Sequence, residues 1–118
     1  MSTNAADFYA NWPQRMNATK AAAPDLGKAF GPFFQGLMKD GAITAKEKEL
    51  IAVGIAVAIR CESCIYAHVE KALKHGNSPA AIMEAAGVAV MMGGGPAYTY
   101  APIVSEALAH LSSGEPST

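Results

Sequence analysis

An all-α fold, a compact bundle of about six helices, is predicted by one absence and two patterns. No run of the chain alternates apolar and polar residues between hairpin turns, as half-buried strands do. Apolar residues recur instead at steps of three and four. The breaks between such segments carry helix punctuation: capping hydroxyls and carboxylates, prolines in first turns, glycines after last ones.

The first helix is expected within Asp7 to Ala22, with Pro13 delaying its start. Asp25 is placed to cap a second helix that carries Leu26, Phe30, Phe33, Phe34 and Leu37 toward a core. Pro32 should kink or divide it, and "KDGA" should end it at Gly41. Thr44 and Glu47 form a capping-box pair at the start of the third helix. From Leu50 to Ile59 that helix is apolar all round, which predicts burial on every side. Arg60 closes the run. The fourth helix holds "CESCIYAHVEKALKH" and stops at Gly76. Ser78 as N-cap and Pro79 at the first helical position open a fifth, running through "AAIMEAAGVAVMM" to the breaker "GGGP". A sixth is expected from Pro96, bent at Pro102, to near Leu111. These elements make a single domain over residues 1–111, followed by a disordered tail at 112–118, "SSGEPST".

Bulk composition narrows the function. Apolar residues make up 51% of the 118 and charged residues 16%, against about 25% charged in an average soluble domain. A lone small domain of this kind would leave much apolar surface wet, so burial between subunits is expected. The net charge of −1 comes from scattered residues of both signs. No basic patch with interleaved aromatics occurs, which argues against a nucleic-acid partner. The longest uncharged apolar run, "LIAVGIAVAI", is far short of the about 20 residues that span a bilayer. "MSTNAADFYANW" has no basic start before an apolar stretch, so it does not read as a signal peptide. A cytoplasmic location is expected.

In such a chain a structural disulfide is disfavoured, and the two cysteines point to redox, catalytic or metal chemistry. Random placement would put them three apart roughly once in 60 chains of this kind. Cys61, Cys64, Ile65, His68 and Ala72 fall on one face of the fourth helix. Cys61 sits at its start, where free amides and the helix dipole favour a thiolate. Cys64 is one turn before His68. A nearby imidazole base or positive dipole raises the thiolate fraction of a thiol. Free cysteine is also a small buried hydrophobe in many cores, and His68 alone could be a bonded core residue. Both cysteines and the histidine together on one face at a helix start favour redox work.

Glu49 is the next candidate. Glu47 already serves as the capping glutamate, so capping does not explain a second carboxylate. It shares a face with Ala52, Val53 and Ala56, where a carboxylate needs a partner such as His68. Its alternative is a place near enough the helix start to reach water. Haem attachment would need histidine where Ile65 stands. A structural zinc site wants four ligands, and His75 lies on another face. Tyr66, Tyr98 and Tyr100 could line a pocket, but residues at these spacings are more often core or interface, and Met83, Met91 and Met92 read the same way. His75 reads as a charge partner for its helix's C-terminus.

"EKELIAVGIAVAIRCESCIYAHVEKALKHG" followed by "EAAGVAVMMGGGPAYTYAP" resembles the core domain of the alkylhydroperoxidase D and carboxymuconolactone decarboxylase superfamily, over about residues 42–108. Three spacings coincide: a glutamate twelve residues before CxxC, the CxxC itself, and a histidine four after it. The resemblance implies an all-helical fold assembled into trimers or hexamers, with a hexamer favoured for a short chain holding one copy of the unit. It also implies a proton relay without a cofactor or metal. In it Glu49 orients and charges His68, and His68 is the base for Cys64. Cys64 attacks a hydroperoxide oxygen and becomes a sulfenic acid, and Cys61 condenses with it to a disulfide. An external dithiol, for the peroxidase a lipoyl group on a protein partner, would reduce that disulfide. One position departs from the pattern: Ser63 stands where alkylhydroperoxidase D has a further histidine. The family's other branch would make the chain a lactone-acid decarboxylase, and a non-enzymatic redox-sensing oligomer is the third reading.

Overall fold

The computed structural model describes residues 4–112, and the regular structure among them is all helical. Six helices and a single-turn piece follow in order: α1 (Ala5–Ala22), α2 (Pro24–Met38), α3 (Ala45–Ala58), α4 (Glu62–Lys74), α5 (Pro79–Gly93), α6 (Gly95–Tyr98) and α7 (Ala101–Ser112).

Local chemistry accounts for most of the boundaries. The Asn4 side chain accepts from the Asp7 amide at 2.8 Å, so α1 begins before Asp7 and continues through Pro13. Pro13 removes one amide donor without delaying the helix. Pro24, not a capping Asp25, opens α2: Ala23 is the N-cap and makes no side-chain bond. Proline suits this first turn because its missing amide would have had no helical partner. Asp25 instead lies beside the positive end of the helix dipole. α2 passes Pro32 undivided and ends at Met38, short of Gly41. The Lys48 ammonium donates to the carbonyls of Leu37 and Lys39 at 2.9 and 2.6 Å, satisfying acceptors that the helix end leaves free.

The capping box at α3 is complete. Thr44 Oγ1 accepts from the Glu47 amide at 3.1 Å, and Glu47 Oε1 accepts from the Thr44 amide at 3.0 Å. The hydrogen bonds from Thr44, backbone first and hydroxyl second, hold the Glu47 carboxyl below its ordinary range. At the other end of α3, Arg60 adopts a left-handed conformation, φ 58°. Its amide donates to Val57 and the Cys61 amide to Ala56, the paired bonds of a Schellman turn in which glycine is the usual residue. Gly76, φ 91°, makes the same turn after α4, with Asn77 and Gly76 donating to Ala72 and Leu73. Ser78 caps α5, with Pro79 in its first turn.

The central element is α3, packed on α4 and α5, with α7 against α4 and α5. Val53, Val57, Ile65, Tyr66, Val69, Ile82 and Val104 are the large residues sealed in the core. Gly54 permits the close approach of α3 to α5: a Cβ there would stand 3.3 Å from the Ala85 carbonyl oxygen. Buried Asn77 ties the start of α3 to the end of α4, its Nδ2 donating to the carbonyls of Lys46 and Ala72. The α1 aromatics fasten the first helix to α4. Phe8 stacks on Tyr66 at 4.8 Å, and the Tyr9 hydroxyl donates to the Tyr66 carbonyl.

Burial departs from the sequence reading in two helices. No residue of α2 is buried, and Leu26, Phe30, Phe33 and Leu37 face outward rather than into a core. α3 is sealed on one side only, with Ile51, Ile55 and Ile59 exposed. Both corrections have one cause: apolar side chains call for burial without saying whether the same chain covers them. Tyr98, Met83, Met91 and Met92 are exposed too. The expected sixth helix is two pieces, broken at Thr99 and Tyr100 between α6 and α7. Ser112 belongs to α7, and the rest of the tail expected to be disordered lies outside the described residues. No helix among the described residues is long and apolar enough to cross a membrane.

Candidate functional site

The strained turn at Arg60 delivers Cys61 to the N-cap of α4, where its Sγ accepts from the Cys64 amide at 3.4 Å. Cysteine thus fills a position usually held by serine, threonine or aspartate. Cys61 and Cys64 are joined in a disulfide, their Cα atoms 5.2 Å apart, inside the range that disulfides ordinarily span. Ser63 Oγ stands 3.8 Å from Cys61 Sγ. The hydroxyl at the departing position therefore lies beside the first cysteine of the pair.

Glu49 lies on the inner face of α3 and is 2% exposed. A carboxylate there needs a hydrogen-bonding partner, and it has one: Oε1 is 2.7 Å from Nδ1 of His68 on α4. The bond decides between the two readings of Glu49, because the residue does not sit at the water-facing helix start. With Nδ1–H held by the carboxylate, Nε2 is left as the ring's proton acceptor. A carboxylate behind the imidazole also stabilises the imidazolium that forms when the ring takes a proton. The His68 side chain keeps 18% of its surface exposed, so a proton or substrate can reach it. Cys64 and His68 share one face of α4, one turn apart.

Two contributors were not assigned to the site from sequence. Phe34 of α2, taken there for a core residue, lies over the His68 ring with centroids 6.1 Å apart and planes 24° from parallel. Lys71 on α4 sets its ammonium 5.0 Å from the Phe34 ring centroid, a cation–π contact that helps seat the ring. Phe34 lies at the edge of the apolar stripe of α2, and that edge was the only signal available. His75 lies at the end of α4, where its Nδ1 donates to the Lys71 carbonyl. His110 is elsewhere, stacked on Tyr9. Among the described residues, no three His, Cys, Asp or Glu side chains gather as a metal-binding group.

The profile of the carboxymuconolactone decarboxylase family matches residues 24–107, which include all four residues of the two pairs. An uncharacterised protein of Cupriavidus necator is 42% identical over 81 residues, 65% of this chain and 69% of that protein. The apo form of a carboxymuconolactone decarboxylase family protein from Legionella pneumophila superposes with a TM-score of 0.85 at 33% identity, over 92% of this chain and 96% of that one. A family member from Thermotoga maritima, for which a part in an antioxidative response has been suggested, gives 0.68 at 26% identity, over 73% and 89%.

Proposed function

Since the chain belongs to the carboxymuconolactone decarboxylase family, within the alkylhydroperoxidase D-like superfamily, we propose that it is a thiol-dependent peroxidase or disulfide oxidoreductase of the cytoplasm. The observation that carries the reading is buried Glu49 bonded to His68, which stands one turn from a disulfide-bonded CxxC. The antioxidative role suggested for the Thermotoga maritima relative agrees with it.

In the reduced protein, His68 takes the Cys64 proton while Glu49 stabilises the resulting imidazolium. The Cys64 thiolate attacks one oxygen of a hydroperoxide. An S–O bond forms, the O–O bond breaks, and the other oxygen leaves as an alcohol with the proton from His68. The product is a sulfenic acid at Cys64. The Cys61 sulfur then displaces its hydroxyl, forming the S–S bond and releasing water. An external dithiol, of which a lipoyl group on a partner protein is the candidate, returns two electrons and two protons by thiol–disulfide exchange. No cofactor enters this sequence. The arrangement of Cys61 at the N-cap lowers the cost of a thiolate there, which makes it a good leaving group in that last exchange.

The family's name gives the decarboxylase reading its weight. That chemistry must bind a carboxylate and protonate a carbanion, and it has no use for a paired thiol. The intact CxxC favours thiol chemistry.

The test is stoichiometric. Reduced protein is mixed with one equivalent of an organic hydroperoxide, and free thiols are titrated over time. Both thiols should disappear together into an intramolecular disulfide. Cys64→Ser should consume no peroxide, and Cys61→Ser should complete a single oxidation and stop. Thiols that stay reduced for hours, or normal turnover by both variants, would sink the peroxidase.

A further inference from the structure

Two donors converge on the Cys61 sulfur. The Cys64 amide reaches it at 3.4 Å, and Ser63 Oγ stands 3.8 Å away, within hydrogen-bond reach of a sulfur. The second contact has a fixed direction. A sulfur in a disulfide carries no proton, so the Ser63 hydroxyl donates and Cys61 accepts. All three residues are half-buried in the turn that opens α4. We propose that Ser63 selects the sulfur that leaves when the disulfide is reduced: the reductant bonds to Cys64, and Cys61 departs with the electron pair. This rests on the thiol chemistry proposed above and assigns its reductive half.

The contact is stronger in one redox state than in the other. A neutral disulfide sulfur is a weak acceptor, whereas a thiolate makes a charge-assisted hydrogen bond, about twice as strong as a neutral one. Ser63 therefore adds little to the oxidised form and stabilises the form in which Cys61 is an anion. Serine suits this task because its hydroxyl keeps its proton. It donates without competing with His68 for the proton of Cys64, which places it outside the relay.

In the step itself, one sulfur of an external dithiol attacks Cys64 Sγ as a thiolate. An S–S bond forms between the reductant and Cys64, the Cys61–Cys64 bond breaks, and its electron pair stays on Cys61. The reductant's second thiol, deprotonated, then attacks the sulfur of its own first thiol. The reductant leaves as a cyclic disulfide, and Cys64 is released one turn from His68, through which a proton can return. Two electrons and two protons pass from the dithiol to the pair. Attack at Cys61 would instead expel Cys64, which is not the N-cap of α4 and accepts neither of the two bonds.

The test reads which sulfur leaves. Oxidised protein is pulsed with glutathione and quenched with N-ethylmaleimide, and the tryptic peptide "CESCIYAHVEK" is fragmented by mass spectrometry. Wild type should carry the maleimide mostly on Cys61 and the glutathione on Cys64. Ser63→Ala should weaken that preference, and slow opening of the disulfide by dithiothreitol, by roughly three- to tenfold, as loss of one hydrogen bond of ordinary net strength does. Alanine is well tolerated in a helix, and Ser63→Thr, which keeps a hydroxyl, should restore both readouts. With Cys64→Ser as background, Cys61 is the only thiol. Adding Ser63→Ala there should raise its pKa by roughly half a unit to one unit, read from the pH dependence of alkylation. The pKa of Cys64 in a Cys61→Ser background should move less. Reversed labelling in wild type, labelling and rates unchanged by Ser63→Ala, or an equal shift at Cys64 each overturns the proposal and leaves the thiol chemistry standing. A disulfide that dithiothreitol does not open in the folded protein overturns both.

Discussion

Replacing Glu49 by glutamine keeps a hydrogen-bonding group beside His68 but removes the charge that stabilises an imidazolium. Replacing His68 by alanine strands a buried carboxylate. The two variants should therefore separate chemistry from stability. Both should slow alkylation of reduced Cys64 near neutral pH, because each raises its apparent pKa. His68→Ala should also cost more in chemical unfolding than Glu49→Gln, by at least the roughly 1–3 kcal/mol that an unsatisfied buried polar group costs, since the stranded group is charged. Unchanged alkylation rates would take both residues out of the relay. At this scale the spacing of Glu49, Cys61, Cys64 and His68 was legible in the chain, because three of them lie on or at the start of one helix and share its period. The meeting of Glu49 with His68 is a contact between α3 and α4. From the residues alone, a water-facing Glu49 was equally allowed.

The attachment of α1 to α4 makes an element-scale prediction. Burial pushes the Tyr9 phenol above the ordinary tyrosine range, with smaller contributions from the charges of Glu70 and Tyr66. A raised folded-state pKa means that the unfolded chain loses this proton first. The contribution of Tyr9 to stability is thus complete below about pH 10 and is lost as pH rises beyond it toward the folded value. Between neutral pH and pH 11 the melting temperature of wild type should fall more than that of Tyr9→Phe, which has no proton to lose at this position. Equal slopes would mean that Tyr9 reaches water in the fold. Element boundaries were legible where the chemistry is local. The capping box at Thr44 and Glu47, the Ser78–Pro79 start and the Gly76 stop are each set by neighbours in sequence. The end of α2 was not, because its last carbonyls are satisfied by Lys48 from another helix.

Over the whole molecule, residues of equal apolarity should behave differently according to what covers them. Ile82 is sealed in the core and Ile55 faces outward. Ile82→Ala should cost about 2–5 kcal/mol at any protein concentration, since it leaves a cavity. Ile55→Ala should cost less than about 0.5 kcal/mol in dilute solution, as exposed substitutions do. Self-association through this face would make that penalty grow with concentration. A concentration-independent penalty at Ile55 would argue that its surface has no partner.

By itself the sequence determined the helical class, most of the caps, the place of the two cysteines at a helix start, and the excess of apolar surface that one small chain cannot hide. Each follows from periodicity, composition or contacts within a few residues. Tertiary structure decided which apolar faces the chain covers. It buried one side only of α3, which is apolar all round, and left the apolar ridge of α2 open. It also decided that Glu49 reaches His68 and that Phe34 lies on the same ring. These are meetings between separate helices, fixed by packing angles and close approaches such as Gly54 against Ala85; side-chain order along the chain offered the Glu49–His68 pair as one of two alternatives and gave no sign of the Phe34 contact.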